Sequence, residues 1–214
     1  MYSVRSRVVA GTALLVPLTA GTAWAGALAE PVLARDIITC AGPAQMNFDP
    51  PLTTSPRDST VTGSNQFSTC TVVRRNAVTG EQIGGTETLS PASGEGTSVA
   101  EVRYTDLVLS QGQCNTRNAK FKGKVTYYWH DDIGGETVIN LGKSAVITSA
   151  GSHQFANKDA ADASSTRFAG YAEYPRGVMN PHITGSCSGS GGVSAMTGDV
   201  TITLYSPPYV TTVN

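Results

Sequence analysis

Charge is scarce in this chain: only 14% of its 214 residues are Asp, Glu, Lys or Arg, and no basic run is longer than the pair Arg74-Arg75. Without clustered positive charge a protein has no electrostatic grip on phosphate, so nucleic acid is not an expected partner. Lys120, Lys122 and Lys124 come closest to a basic cluster. They alternate as the outer face or edge of a strand would, which is a solvated arrangement and not an anion site. Long hydrophobic runs are missing as well. The main apolar stretch, residues 8–18, is broken by Gly11, Thr12 and Pro17 and falls short of the ~20 residues that cross a bilayer. Beyond it, no window of about 12–18 residues carries the sustained i, i+3, i+4, i+7 apolar stripe of a helix. Neither a Cys-x-x-Cys pair, nor two histidines at helical spacing, nor a repeat of fixed period occurs, which argues against a redox motif, a sequence-local zinc site and a solenoid.

What the N-terminus does have is an export signal. Arg5 and Arg7 form a positive start, the apolar stretch follows, and Ala23-Trp24-Ala25 has the small-x-small form that signal peptidase accepts, so cleavage is expected after Ala25. No cysteine stands there to take a lipid, and residues 205–214 offer neither a hydrophobic tail nor a basic cluster as an anchor. The expected location is extracellular, with no membrane contact after cleavage. Residues 1–25 are read as a signal peptide, 26–36 as an N-terminal extension, 37–205 as a single domain and 206–214 as a C-terminal tail. The processed chain of 189 residues (214 less 25) is ample for one core and cramped for two. It keeps 13 basic residues (15 less Arg5 and Arg7) against 16 acidic ones, a net charge of −3.

Composition favours β-structure, with 23 glycines, frequent Ser and Thr, and little of the Leu, Ala, Glu and Lys enrichment of helical domains. The clearest strand is 121–129, where Phe121, Val125, Tyr127 and Trp129 share one face with Gly123, and Lys122, Lys124, Thr126 and Tyr128 share the other. Val200, Ile202 and Leu204 alternate in the same way with Thr201, Thr203 and Tyr205. Residues 35–40 and 60–70 read as an opening strand pair around a turn at Asp49-Pro50-Pro51, and Pro56 opposes pairing on that side of the loop. Further strands are expected at 82–89, 98–109, 135–147 and 166–174. The alternation changes phase between Tyr104 and Leu107, which predicts a bulge near Asp106. Residues 151–165 are expected to form a short helix or an irregular excursion, and 186–192 a Gly/Ser turn carrying Cys187. Together these elements predict an all-β fold: an antiparallel β-sandwich, Ig-like or jelly-roll-like, with a partly closed β-barrel as the alternative.

A family resemblance rests on several short motifs. They are Ile38-Thr39-Cys40-Ala41-Gly42, Pro51-Leu52-Thr53, Cys70, Cys114, the strand 123–129 running to Gly134-Gly135-Glu136-Thr137, and the Gly/Ser-rich stretch after Cys187 with its closing strand 198–204. Their layout resembles that of a broad, functionally uncharacterised family of small secreted β-sandwich proteins of actinobacteria. Arg74-Arg75 and the 159–162 segment depart from that pattern. The resemblance implies a β-sandwich with two disulfides and lends no catalytic residue. An even set of cysteines behind an export signal reads the same way. Of the three pairings, Cys40–Cys70 with Cys114–Cys187 is expected, because the first joins neighbouring strands and the second ties the middle of the chain to its penultimate strand. Each bridge would stabilise by roughly 4 kcal/mol in the loop-entropy model.

Chemistry-bearing groups are few. Gly185-Ser186-Cys187-Ser188-Gly189 imitates a nucleophile elbow, but its centre is a cysteine in a turn, so it is not read as catalytic. His130, His153 and His182 are far apart in sequence. His130-Asp131-Asp132 is the most loaded local group, since an imidazole and two carboxylates can hold a cation or move protons. The Gly134-Gly135 that follows favours a polar hairpin turn instead. Asn157, Asp159 and Asp162 lack calcium-loop spacing and read as loop caps. Tyr128 should point outward, where it would stack on sugar rings or a partner if Tyr171, Tyr174 or Tyr209 lay beside it. No catalytic residue, metal or cofactor is expected, and the candidate binding surface is Tyr128, His130, Asp131 and Asp132. The expected protein is secreted and non-enzymatic, with a binding or structural role toward cell-wall polysaccharide or an extracellular protein. A carbohydrate-binding or adhesin-like module, and a hydrolase inhibitor presenting the loop at 49–57, are the alternatives; a hydrolase with a spatially assembled His/Asp site comes last.

Overall fold

A computed structural model describes residues 30–94, 96–114, 120–142, 160–173 and 182–213. The segment expected to be an export signal lies outside the described residues, as do most of the 151–165 segment, His153, Asn157 and Asp159. The described chain forms eleven strands: β1 (Glu30–Leu52), β2 (Arg57–Phe67), β3 (Thr69–Asn76), β4 (Gln82–Leu89), β5 (Ala100–Gly112), β6 (Lys120–Trp129), β7 (Glu136–Leu141), β8 (Ala172–Glu173), β9 (His182–Ser186), β10 (Gly192–Tyr205) and β11 (Tyr209–Val213).

The 23-residue β1 organises the sheet. Along one edge its residues 34–41 pair with β3 and residues 44–49 with β2; along the other, residues 30–34 pair with β11 and residues from 37 onward with β10. All of these pairings are antiparallel. Two blades therefore grow from one edge, β3–β4 and β2–β5–β6–β7, and they enclose a single cluster of buried residues. The result is a sandwich-like antiparallel fold that is not closed into a barrel.

Local chemistry explains where the blades part. A single residue, Ser68, connects β2 to β3, so Gln66 and Phe67 cross β1 at Gly42. A Cβ on Gly42 would stand 2.0 Å from the Gln66 carbonyl oxygen, so no side chain fits there. The segment 60–70, expected as one strand, is thus divided between the blades. Within β5 the register with β6 slips between Thr105 and Val108, and Asp106 takes a φ of 50°, so the predicted bulge is present. It restores Leu107 and Leu109 to the core face. Tyr127 and Trp129 also point inward, with Tyr127 stacked between Phe67 and Trp129 at centroid distances of 6.4 and 6.2 Å.

Both expected disulfides are formed. Cys40 and Cys70 are directly opposed on β1 and β3, and Cys114 after β5 is bonded to Cys187 in the turn between β9 and β10. Other expectations need correction. Asp49-Pro50-Pro51 is not the turn; β1 runs through it, at the point where its register with β10 slips between Asn47 and Leu52, so the missing proline donors leave no ladder bond unmade. Residues 166–170 form a turn in place of a strand, because Arg167 N–H donates to the Glu136 carbonyl and its own carbonyl accepts from Thr137 Oγ1. The alternation there reflects aromatic packing of Phe168 between Trp129 and Tyr171. Residues 30–34 and 209–213, read as an extension and a tail, pair with each other.

Candidate functional site

The His130-Asp131-Asp132 group closes the β6–β7 hairpin. Trp129 N–H donates to the Gly135 carbonyl, and Gly134 N–H reaches the Asp131 backbone and side-chain oxygens at 3.0 and 3.1 Å. Asp131 has left the surface. Its carboxylate, 8% exposed with its residue, receives both terminal nitrogens of Arg167, which is equally buried. The Arg167 guanidinium packs against the rings of both Trp129 and Phe168, 5.3 and 4.6 Å from their centroids. Burial pushes the Asp131 carboxyl up, but the hydrogen bonds and charge of Arg167, with backbone N–H groups of Gly134 and Ile133, outweigh it and hold the group below the usual carboxylate range. This is a structural ion pair, so Asp131 does not belong to a binding surface. His130 bonds through its backbone to Val99 and Ala92, while Asp132 is exposed at the hairpin tip. Asp162 caps its own loop, accepting from Ser164 N–H and from Asn140. Cys187 is tied up in its disulfide.

Tyr128 points outward as expected and is half-buried. Arg103 leans over its ring at 4.9 Å and is itself held by Glu101 through a 3.0 Å contact. Among the described residues no second tyrosine joins it: Tyr209 lies on β11, where its hydroxyl donates to Asp36 at 2.6 Å and Arg74 covers its ring, and Tyr171 packs against Phe168, while Tyr174 lies outside the described residues.

The outer face that carries Tyr128 also holds an open groove of about 520 Å³. Alternation sends Gln45 of β1, Ser64 and Gln66 of β2, and Thr197 and Asp199 of β10 outward, and β9 adds His182 at the edge. Register then brings them together. His182 stands opposite Thr197, Thr197 opposite Gln45, and Gln45 opposite Ser64. Gln66 stands opposite Glu101, which stands opposite Tyr128, so one polar surface runs from the groove to that ring. None of the groove residues was singled out from the sequence as part of a site except His182, and that only as an isolated histidine. Their alternation is legible, but their convergence depends on pairings such as Gln45 with Thr197, which no local pattern specifies.

A contrasting outer face lies on the other blade. Thr88, Thr71, Thr39 and Thr203 oppose one another across β4, β3, β1 and β10, a ladder of hydroxyl and methyl groups that suits a solvated sheet. Among the described residues no three His, Cys, Asp or Glu side chains come together as a metal site would need, and no helix is long and apolar enough to cross a membrane.

The structure thus defines an all-β, sandwich-like antiparallel protein braced by two disulfides. No protein-family model, curated protein or solved structure matches the chain.

Proposed function

We propose that this is a secreted, non-enzymatic binding protein of the cell exterior that receives its ligand in the groove between β9, β10, β1 and β2. The convergence of Gln45, Ser64, Gln66, Thr197, His182 and Asp199 from four strands carries this reading, because a concave site with several directed polar groups is the form a ligand pocket takes. The export signal, together with two disulfides that persist in oxidising compartments, supports the extracellular setting.

Retention on insoluble cell-wall polymer, set against capture of proteins from the secreted fraction, tests the proposal. The double substitution Ser64→Arg with Gln66→Arg should abolish retention, while Thr71→Arg on the opposite blade should leave it intact. Equal loss from both, or from neither, would contradict the groove as the site.

A hydrolase inhibitor is the second reading, favoured by one observation. The short exposed loop at 53–56 is braced by Cys114, whose N–H donates to the Thr53 carbonyl at 2.9 Å. Capture of a secreted protease that Ser55→Arg prevents and the groove variant does not would support it.

A further inference from the structure

We propose that the groove takes a neutral, polyhydroxylated glycan, laid across the strands from β10 toward β6 so that a longer chain reaches Tyr128; this rests on the binding role above and names its ligand class. The lining chemistry points there first. The carboxamides of Gln45 and Gln66 and the hydroxyls of Ser64 and Thr197 both donate and accept hydrogen bonds, as sugar hydroxyls do. Among the described residues no Lys or Arg lines the groove, and exposed Asp199 sets a negative charge at one end, so a polyanion is repelled where a neutral chain is not. Apolar lining comes from Pro43 and Ala44, too little to seat the large aromatic anchor of a protein partner.

Register sets the direction of the chain. Four inter-strand steps of ~4.8 Å separate β10 from β6 through β1, β2 and β5, roughly 19 Å in all. A short oligomer fills the groove alone, and a longer one extends over Gln66 and Glu101 to Tyr128. At that end the Arg103 guanidinium, fixed by Glu101 and seated on the Tyr128 ring, sets N–H donors toward a sugar's hydroxyls, and the ring holds it in place.

Calorimetric titration of the processed protein with neutral oligomers of N-acetylglucosamine, glucose, mannose and xylose, from dimer to hexamer, tests this. One series should bind with affinity that climbs with length and does not respond to salt. Tyr128→Ala should lower hexamer affinity by roughly tenfold and leave the dimer unchanged, Tyr128→Phe should restore it, and Gln66→Ala should weaken every length. If none of the four series binds while cell-wall retention still depends on Ser64 and Gln66, the ligand belongs to another class and the glycan is overturned with the binding face intact. Salt-sensitive preference for polygalacturonate, or hexamer binding indifferent to Tyr128→Ala, overturns it as well. Retention indifferent to the groove variant removes the binding face and the glycan together.

Discussion

Asp131 and Arg167 are separated by 36 residues in sequence and joined inside the protein, and this pair decides what the histidine–aspartate turn can do. The turn itself was legible, because Gly134-Gly135 after a strong strand marks a hairpin. Burial was not, because the partner lies in a segment whose aromatic alternation imitates a strand. Arg167→Met leaves a buried carboxylate unpaired and should cost about 3–5 kcal/mol in urea unfolding, with the double variant Asp131→Leu/Arg167→Met recovering part of it. The pH dependence follows from the depressed Asp131 pKa. Its contribution is complete above the unfolded carboxylate value of ~3.9 and is lost as pH falls through the lower native value. Wild type and Asp131→Asn should therefore converge in stability in strong acid and separate above about pH 5. Tyr209 moves the other way. Burial, the hydrogen bond to Asp36 and that carboxylate's charge push its phenol up to about 12. A native pKa above the unfolded one stabilises fully below ~10 and less as pH rises toward the native value. Ultraviolet titration should find one tyrosine ionising near 12, and Asp36→Asn should lower it part of the way toward the ordinary range while burial keeps it raised.

Individual strands were readable where the period-2 pattern is strong. β6 and β4 fall where alternation and punctuation place them, and the bulge at Asp106 shows as a break in phase. β9 left no such signal, since His182–Ser186 is exposed along its whole length and has no apolar face to alternate. The division of 60–70 was hidden for a different reason: it is caused by a close approach at Gly42, some twenty residues upstream, and not by any residue within the segment. That approach gives a direct test. Gly42→Ala must push the Gln66 carbonyl aside and should destabilise by several kcal/mol, on the scale of other strained core changes of about 1–3 kcal/mol or more. Gly85→Ala in β4 meets nothing within 4 Å and has ordinary backbone angles, so it should be neutral or stabilising by about 0.4–1 kcal/mol. Thermal midpoints of the two variants compare these outcomes directly.

For the molecule as a whole, cysteine spacing made the covalent frame legible, whereas the groove was not, because it arises only when β1 meets β2 on one edge and β10 on the other. The second disulfide links frame to groove. Cys114–Cys187 closes 73 residues and holds the turn between β9 and β10, from which His182 and Thr197 project. Replacing both cysteines with alanine should cost about 2–5 kcal/mol and, because β9 is anchored through that turn, should also weaken ligand retention at temperatures where the variant remains folded. Substituting Cys40 and Cys70, which brace the other blade, should lower stability without changing the affinity of the folded protein. The central claim, that ligand is received on the outer face of β10, β1 and β2, is tested most directly by nitrogen-15 NMR of the processed protein titrated with soluble cell-wall fragments. The side-chain amide signals of Gln45 and Gln66 and the backbone signals of Ser64 and Thr197 should move together, while those of Thr39, Thr71 and Thr88 stay in place. Movement confined to the threonine ladder, with the glutamine side chains unchanged, would contradict the account.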